Sequence, residues 1–368
     1  MYDLDIKNFS RIITRLINKE DLSREESFNA FTKVLKNMTS EIQQGAFLAA
    51  LTAKGETKEE IAGCWDAIYR FDTNKITPNV NGPIVENCGT GMDSYKTFNI
   101  STCASLVAAS EGILIARHGA RALTSYCGTV DMCEALGVDV ECNVELAAKS
   151  LESTGIALFN GMSPAVHPKA LGRILSQISF GSTLNIAASL ASPVKADIGV
   201  RGVYSKEMLI PVVKVMKEIG YKRAIVFNGQ IDGMQQSMDE ASVSGTTFCA
   251  ELSEDGAIKQ FSFRPEDAGI NTQVPDSLSP GKEISEESKK LVSLIISGDN
   301  STRSDSVALN AGLIFYAVGK CKNIKEGTEL AKQVLNAKTA YNTLKSWVTA
   351  QNRNPEKGLE KLININPN

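Results

Sequence analysis

The sequence predicts an α/β protein: a small all-helical domain at its start, and a larger α/β domain built on a mainly parallel central sheet. Three observations predict it. The chain has 368 residues, beyond the size at which a single hydrophobic core keeps growing. Capping-box patterns recur through the first 75 residues, each ahead of an amphipathic run. From about residue 80, short apolar runs alternate with helical patterns, the texture of strand–helix–strand units.

The capping patterns are Ser23-x-x-Glu26, Ser40-x-x-Gln43 and Thr57-x-x-Glu60, with Gly55 as a stop before the last helix. The faces Phe28, Phe31, Val34, Leu35 and Ile42, Phe47, Leu48, Leu51 recur at helical spacing and need apolar partners. The strand-like runs follow as "GPIVEN", "GILIAR", "GIALFN", "ADIGVRGVYS", "KRAIVFN" and "TTFCAEL". Residues 266–303 read as connecting loops around one helix, and "SVALNAGLIFYAVGK" opens a helical C-terminal section. No internal repeat or low-complexity tract interrupts this order.

Composition excludes some classes of function. The 39 basic and 42 acidic residues give a formal net charge of -3, so no global positive field draws nucleic acid or an anionic membrane. The eight cysteines include no CxxC pair and lie in apolar segments, which reads as reduced packing residues. The opening "MYDLDIKNFS" has neither the basic start nor the apolar run of a signal peptide, and no later segment approaches the roughly 18 apolar residues of a membrane span. The expected location is the cytoplasm.

Three segments carry chemistry. In "ENCGTGMDSYKTFNISTCAS", residues 86–105, Gly89 and Gly91 let backbone N–H groups turn toward one point after a strand. The next helix adds its N-terminal dipole, and Thr97, Asn99, Ser101 and Thr102 donate from the side-chain level. A phosphate or pyrophosphate is the simplest guest, although the pattern is neither a P-loop nor a GxGxxG fingerprint. "ARHGARALTSYCGTVDMCEALGV" offers Arg117, His118 and Arg121 and a second glycine turn running to Asp131; arginines suit bidentate phosphate recognition. "MDEASVSG" sets Asp239 beside Glu240 just after "AIVFNG", and paired carboxylates near a phosphate nest are what Mg²⁺ requires.

In order and wording these motifs resemble the anthranilate phosphoribosyltransferases, which carry a GTGGD-x-x-x-TFNIST loop, a KHGNRSVSSxxGSADxLEALG segment, an HPA stretch, an FN-x-x-GPL junction and a DE-x-S metal motif. The counterparts are "GTGMDSYKTFNIST", "RHGARALTSYCGTVDMCEALG", "VHPKA", "LNIAASL" and "MDEASVSG", and the likeness runs from "EDLSREES" to "LNAGLIFYAVGKCKNIKEGTELA". The resemblance implies a nucleoside phosphorylase/phosphoribosyltransferase-like fold, with residues 1–76 and a helical segment near 160–190 as the helical domain, 77–368 as the α/β domain, and a homodimer through the helices. It implies Mg²⁺-dependent transfer from phosphoribosyl pyrophosphate. Gly89, Thr90, Gly91, Asp93, Thr97, Asn99, Ser101, Thr102, Arg117 and Thr129 are the implied donor contacts. Ser101, Asp239 and Glu240 are the implied metal set, and His118, His167 and Arg173 the acceptor side. No side chain is assigned as nucleophile or base.

The departures cluster on the acceptor side. Met92 replaces the second glycine of GTGGD, Ala120 the asparagine after HG, Tyr126 a commonly polar turn residue, and Ala188-Ser189 the Gly-Pro pair. The arginine that meets the acceptor carboxylate in the family falls at Leu175, and the approach to the acidic pair, "NGQIDGMQQSMDE", is several residues longer. The expected acceptor is therefore an aromatic or heteroaromatic nitrogen compound other than anthranilate. The competing expectations are a genuine anthranilate enzyme of tryptophan biosynthesis and a non-catalytic ligand- or nucleic-acid-binding homologue.

Overall fold

A computed structural model describes residues 2–122, 126–178, 180–299 and 301–365. The chain divides into two compact units, Met1–Lys75 with Gly161–Pro193, and Ile76–Asn160 with Val194–Asn368.

The elements of the first part of the chain are α1 (Tyr2–Ile17), α2 (Arg24–Leu35), α3 (Glu41–Lys54) and α4 (Lys58–Phe71), followed by β1 (Ile84–Asn87), α5 (Ile100–Ser110), β2 (Leu114–Gly119), α6 (Thr129–Ala135), α7 (Val144–Thr154) and β3 (Ile156–Asn160). Then come α8 (Leu171–Leu175), α9 (Thr183–Leu190), β4 (Ile198–Gly202), α10 (Leu209–Glu218), β5 (Arg223–Gln230), β6 (Ser237–Met238), β7 (Thr247–Leu252) and β8 (Ile258–Phe263). Five helices close the chain: α11 (Ile284–Ser297), α12 (Thr302–Ala317), α13 (Ile324–Ala337), α14 (Thr339–Ala350) and α15 (Pro355–Ile365).

In the helical unit the caps form where hydroxyl and acid alternate. Ser23 Oγ accepts from Glu26 N–H at 3.2 Å while Glu26 Oε2 accepts from Ser23 N–H at 2.9 Å, and Thr57 and Glu60 do the same. Ser40 is only half of the expected box: its hydroxyl accepts from Gln43 N–H, but the Gln43 amide donates to Ser10 Oγ at 3.1 Å instead. Gly55 ends α3 at φ +88°. Phe9, Phe31 and Phe47 form the aromatic centre, with ring centroids 5.4 and 5.1 Å apart. Ile42, read as part of the buried face, is 85% exposed, because it sits on the first turn of α3 away from Phe47, Leu48 and Leu51.

The α/β unit carries an eight-stranded sheet in the order β3-β2-β1-β4-β5-β7-β8, with β6 pairing β5. Pairs from β3 to β5 are parallel, and β6, β7 and β8 run antiparallel. The parallel strands read as continuous apolar runs because both faces are covered: β1, β3 and β4 are buried at every position. β8 is not among the strands the sequence predicts, since its "IKQFSF" is exposed or half-buried at five of six positions, as an edge strand is. All eight cysteines are free and seven are buried. Among the described residues no helix is long and apolar enough to cross a membrane.

Candidate active site

The glycine-rich stretch leaves the carboxyl end of β1, a central strand, and enters α5, the position at which open parallel sheets bind ligands. Thr90 ties the loop to the end of the neighbouring strand: its N–H donates to Gly202 O at 3.0 Å, and its hydroxyl accepts from Tyr204 N–H at 3.2 Å. Gly89 and Gly202 are glycines because Asp239 packs against both. A Cβ at Gly89 would lie 2.2 Å from Asp239 Oδ2, and one at Gly202 1.6 Å from the Asp239 carbonyl oxygen. Gly91 and Met92 both have φ +65°. For the methionine this left-handed backbone costs about 1–2 kcal/mol that glycine would avoid.

The residues between β5 and Asp239 form a clamp on the same loop. Ser237 N–H donates to Ser94 Oγ at 2.9 Å, Tyr95 N–H to Ser237 O at 3.0 Å, and the Gln236 amide to Ser94 O at 3.2 Å. Asn228 Nδ2 reaches Val203 O, Ser237 Oγ and Met238 O at 2.8–3.2 Å. Asn310 of α12 brackets the far side, accepting from Ala241 N–H at 2.9 Å and donating to Ala241 O at 3.2 Å.

The acidic pair is thereby turned inward onto the turn amides. Asp239 Oδ2 accepts from Gly91 N–H at 2.8 Å, and Glu240 Oε1 accepts from Ser101 N–H at 3.1 Å. Asp93, 7% exposed, bonds Lys96 Nζ at 2.7 Å. Burial and the charge of Asp93 push the Asp239 carboxyl up to about 7. Burial and then Asp239 push Glu240 well above the ordinary carboxylate range, and burial raises Asp93. Three acids in one low-dielectric place, with Lys96 on one of them, make an excess of negative charge that a dication relieves. Among the described residues no group of three or more His, Cys, Asp or Glu is arranged to hold a metal ion by itself.

Arg117 lies beneath this loop and is 1% exposed. Its Nη1 donates to Thr102 Oγ1 at 2.5 Å, Nη2 to Ser101 Oγ at 3.0 Å and Nε to Asn87 O at 3.3 Å. The guanidinium thus holds the first turn of α5 against β1 rather than projecting from the surface. Asn99 is the N-cap residue of α5 and makes no side-chain cap bond, and Thr97 is half-buried just before it. Thr129 opens α6, its Cγ2 packed where a Cβ on Gly119 would come within 2.9 Å. At that second turn Asp131 Oδ2 accepts from Gly128 N–H at 3.0 Å and Ala122 N–H at 2.8 Å, and its other oxygen from Arg121 at 3.1 Å. The rest of that hydroxyl-rich turn, residues 123–125, lies outside the described residues, and Tyr126 is 64% exposed.

The acceptor-side expectations fall in both units. His118 is buried in β2, in register with Phe159 of β3. His167 and Arg173 belong to the helical unit. His167 is 4% exposed, with Nδ1 2.5 Å from Asp72 O, and burial lowers its pKa, so the ring is neutral. Arg173 donates to Gln44 Oε1 and Val34 O, both at 3.3 Å, and Leu175 is buried. Lys96, Asn310 and Gly202 escaped the sequence reading. Only Lys96, inside the motif, gave any local signal.

Comparison with known proteins places this geometry. The model of the glycosyl transferase family a/b domain matches residues 81–341, and that of the family's helical bundle domain matches residues 10–71. The anthranilate phosphoribosyltransferase of Listeria monocytogenes is 32% identical over 342 residues, 92% of this chain and 97% of the relative. The chain belongs to the anthranilate phosphoribosyltransferase family. The enzyme of that name from Bacillus mycoides is 34% identical over 357 residues, covering 96% of this chain and 99% of its own. The crystal structure of the Thermus thermophilus anthranilate phosphoribosyltransferase superposes with a TM-score of 0.82 at 29% identity, over 92% of this chain and 99% of that one. The Saccharomyces cerevisiae enzyme in complex with PRPP and Mg, at 22% identity over 94% of this chain and 98% of its own, shares the fold with a TM-score of 0.81. The family-level expectation of a small helical domain and a larger α/β domain with a mostly parallel sheet therefore holds for this phosphoribosyltransferase.

Proposed function

We propose that the enzyme transfers phosphoribosyl from phosphoribosyl pyrophosphate, with Mg²⁺, to the nitrogen of an aromatic or heteroaromatic acceptor other than anthranilate. The bond from the anomeric carbon to the pyrophosphate oxygen breaks, a carbon–nitrogen bond forms, and the amine proton and pyrophosphate leave. The carrying observation for the donor half is the convergence of the Gly89–Gly91 turn, the first turn of α5 and the Asp239–Glu240 pair at the end of one parallel strand. The amides of Gly91 and Ser101 are the donors for the pyrophosphate, displacing the two carboxylates that accept from them here. Ser101, Asp239 and Glu240 would hold Mg²⁺, which would supply charge neutralisation of the leaving group. Arg117 keeps the hydroxyls of Ser101 and Thr102 in place, and Gly89, Thr90, Asp93, Thr97, Asn99 and Thr129 border the donor. Such chemistry asks for alignment and charge stabilisation, not a covalent intermediate.

For the acceptor, the observation is that Leu175 is a buried apolar residue where the family has its carboxylate-binding arginine, while Arg173 is engaged with Gln44 and Val34. A buried acceptor carboxylate would lose charge-assisted hydrogen bonds of roughly 1.5–3 kcal/mol each. Turnover of anthranilate with phosphoribosyl pyrophosphate at an ordinary enzymatic rate overturns this reading. It would favour the second one, anthranilate itself, which the 32–34% identity to curated anthranilate enzymes supports. Calorimetry of phosphoribosyl pyrophosphate with and without Mg²⁺, in the wild type and in Asp239→Ala/Glu240→Ala, tests the donor half. We also infer a homodimer through the helical unit, which leaves Ile17 64%, Met38 57% and Ile42 85% exposed; a monomeric mass by light scattering contradicts it.

A further inference from the structure

A cleft of about 540 Å³ opens on the helical unit along α2 and α4, a size that suits one small molecule. Trp65 and Tyr69, four positions apart on α4, share one face, and their half-buried rings stack with centroids 4.7 Å apart and planes 11° from parallel. The indole is pinned at its edge, where Trp65 Nε1 donates to Leu190 O at 2.9 Å. Phe28 of α2 adds another half-buried ring, its centroid 6.0 Å from that of Phe71. Cations lie over these rings: Lys75 Nζ is 4.4 Å from the Tyr69 centroid, and the Arg70 guanidinium is 5.9 Å from Phe28 and 5.4 Å from Phe71. Arg24 and Asp66, also on the lining, cancel each other through two hydrogen bonds at 2.6 and 3.0 Å. That leaves Arg70 and Lys75, both exposed and without a carboxylate partner among the described residues, against Glu25 alone.

We propose that this cleft is a second ligand site, for a planar aromatic compound that bears an anionic group, a carboxylate or a phosphate. The ring stacks on the aromatic surface of Trp65 and Tyr69, where a flat π-face gains more than a puckered aliphatic ring does. The anion meets Arg70 and Lys75, whose N–H groups are not committed to a carboxylate, so no ion pair has to break before it binds. A cationic ligand of the same shape meets those two charges as repulsion. The residues of the cleft belong to the helical unit, whereas Gly89, Ser101, Asp239 and Glu240 belong to the other unit, so the cleft shares no residue with the donor site.

The chain has two tryptophans and Trp347 is fully buried, so a change in indole emission on adding a probe reports on Trp65, and Trp65→Phe removes it. Benzoate and adenosine monophosphate are the probes, one for each anion; cyclohexanecarboxylate lacks the flat ring and benzylamine the negative charge. The expected result is saturable quenching by benzoate, by the nucleotide or by both, at concentrations about tenfold below those the two controls need, and about tenfold weaker in folded Arg70→Gln/Lys75→Gln. The arm that responds names the anion. No response to either probe overturns the proposal, as does a response that the controls equal or that the paired variant leaves unchanged. Phosphoribosyl pyrophosphate with Mg²⁺ is expected to leave the quenching in place; its loss puts the probes in the donor site and overturns the proposal as well.

Discussion

The three clustered acids at the site make stability depend on pH in a direction opposite to that of ordinary paired carboxylates. Asp239 is half-buried beside Gly89 and Gly91, and burial with the charge of Asp93 raises its carboxyl to about 7, against about 3.9 in an unfolded chain. Between those values the folded protein holds a proton that the unfolded chain has lost, so stability is full at the acid end and falls as pH rises through the window. At about 1.4 kcal/mol per unit, going from pH 5 to pH 8 removes up to about 3 kcal/mol, and partial solvent access brings the expected figure to about 2 kcal/mol. Asp239→Asn keeps an oxygen for the Gly91 N–H and removes the titration. It also lightens the load on Glu240, which Asp239 raises. Urea unfolding of metal-free protein at pH 5, 6, 7 and 8 should show the wild type losing about 2 kcal/mol more than Asp239→Asn across the range. Equal slopes for the two proteins refute the argument. Mg²⁺ should add more stability at pH 8 than at pH 6, because protons compete with it for the same oxygens.

Met92→Gly should gain about 0.5–1 kcal/mol in urea denaturation, because relief of the φ +65° backbone exceeds the added freedom of glycine in the unfolded chain; a loss would show that the Met92 side chain contributes contacts outweighing the strain. Gly202→Ala places a methyl on the Asp239 carbonyl and should cost more than about 4 kcal/mol or prevent folding. Gly91→Ala, which meets nothing within 4 Å but keeps a positive φ, should cost only about 1 kcal/mol, and the pair is compared by urea midpoint. Gln351→Leu should destabilise by at least about 3 kcal/mol in the same assay. The Gln351 amide accepts from Leu158 N–H and Trp347 Nε1 and donates to Leu158 O, three groups that its loss leaves buried and unpaired.

How far the sequence was legible follows from how local each determinant is. Ser23 with Glu26 and Thr57 with Glu60 act within one turn, so the starts of α2 and α4 could be read directly, whereas Gln43 found a partner 33 residues away and broke the same pattern at α3. The buried parallel strands announce themselves as apolar runs, and β8 does not, since an edge strand may be polar and its identity depends on β7 beside it. At the site the same division holds. The glycines, hydroxyls and acids were visible as residue types, but no spacing says that Asp239, 148 positions from Gly91, caps that turn amide, or that Arg117 faces inward to Ser101 and Thr102. By sequence the nest is a set of donors awaiting an anion, and the structure satisfies two of those donors with the protein's own carboxylates. Binding the donor substrate therefore requires those carboxylates to exchange amide partners for another cation-bearing partner, which ties donor and metal binding into one event: Asp239→Asn should weaken phosphoribosyl pyrophosphate binding with Mg²⁺ present and alter it little when Mg²⁺ is absent. Calorimetry in both conditions decides, and an equal loss in both would mean that Asp239 serves the shape of the loop and not the metal.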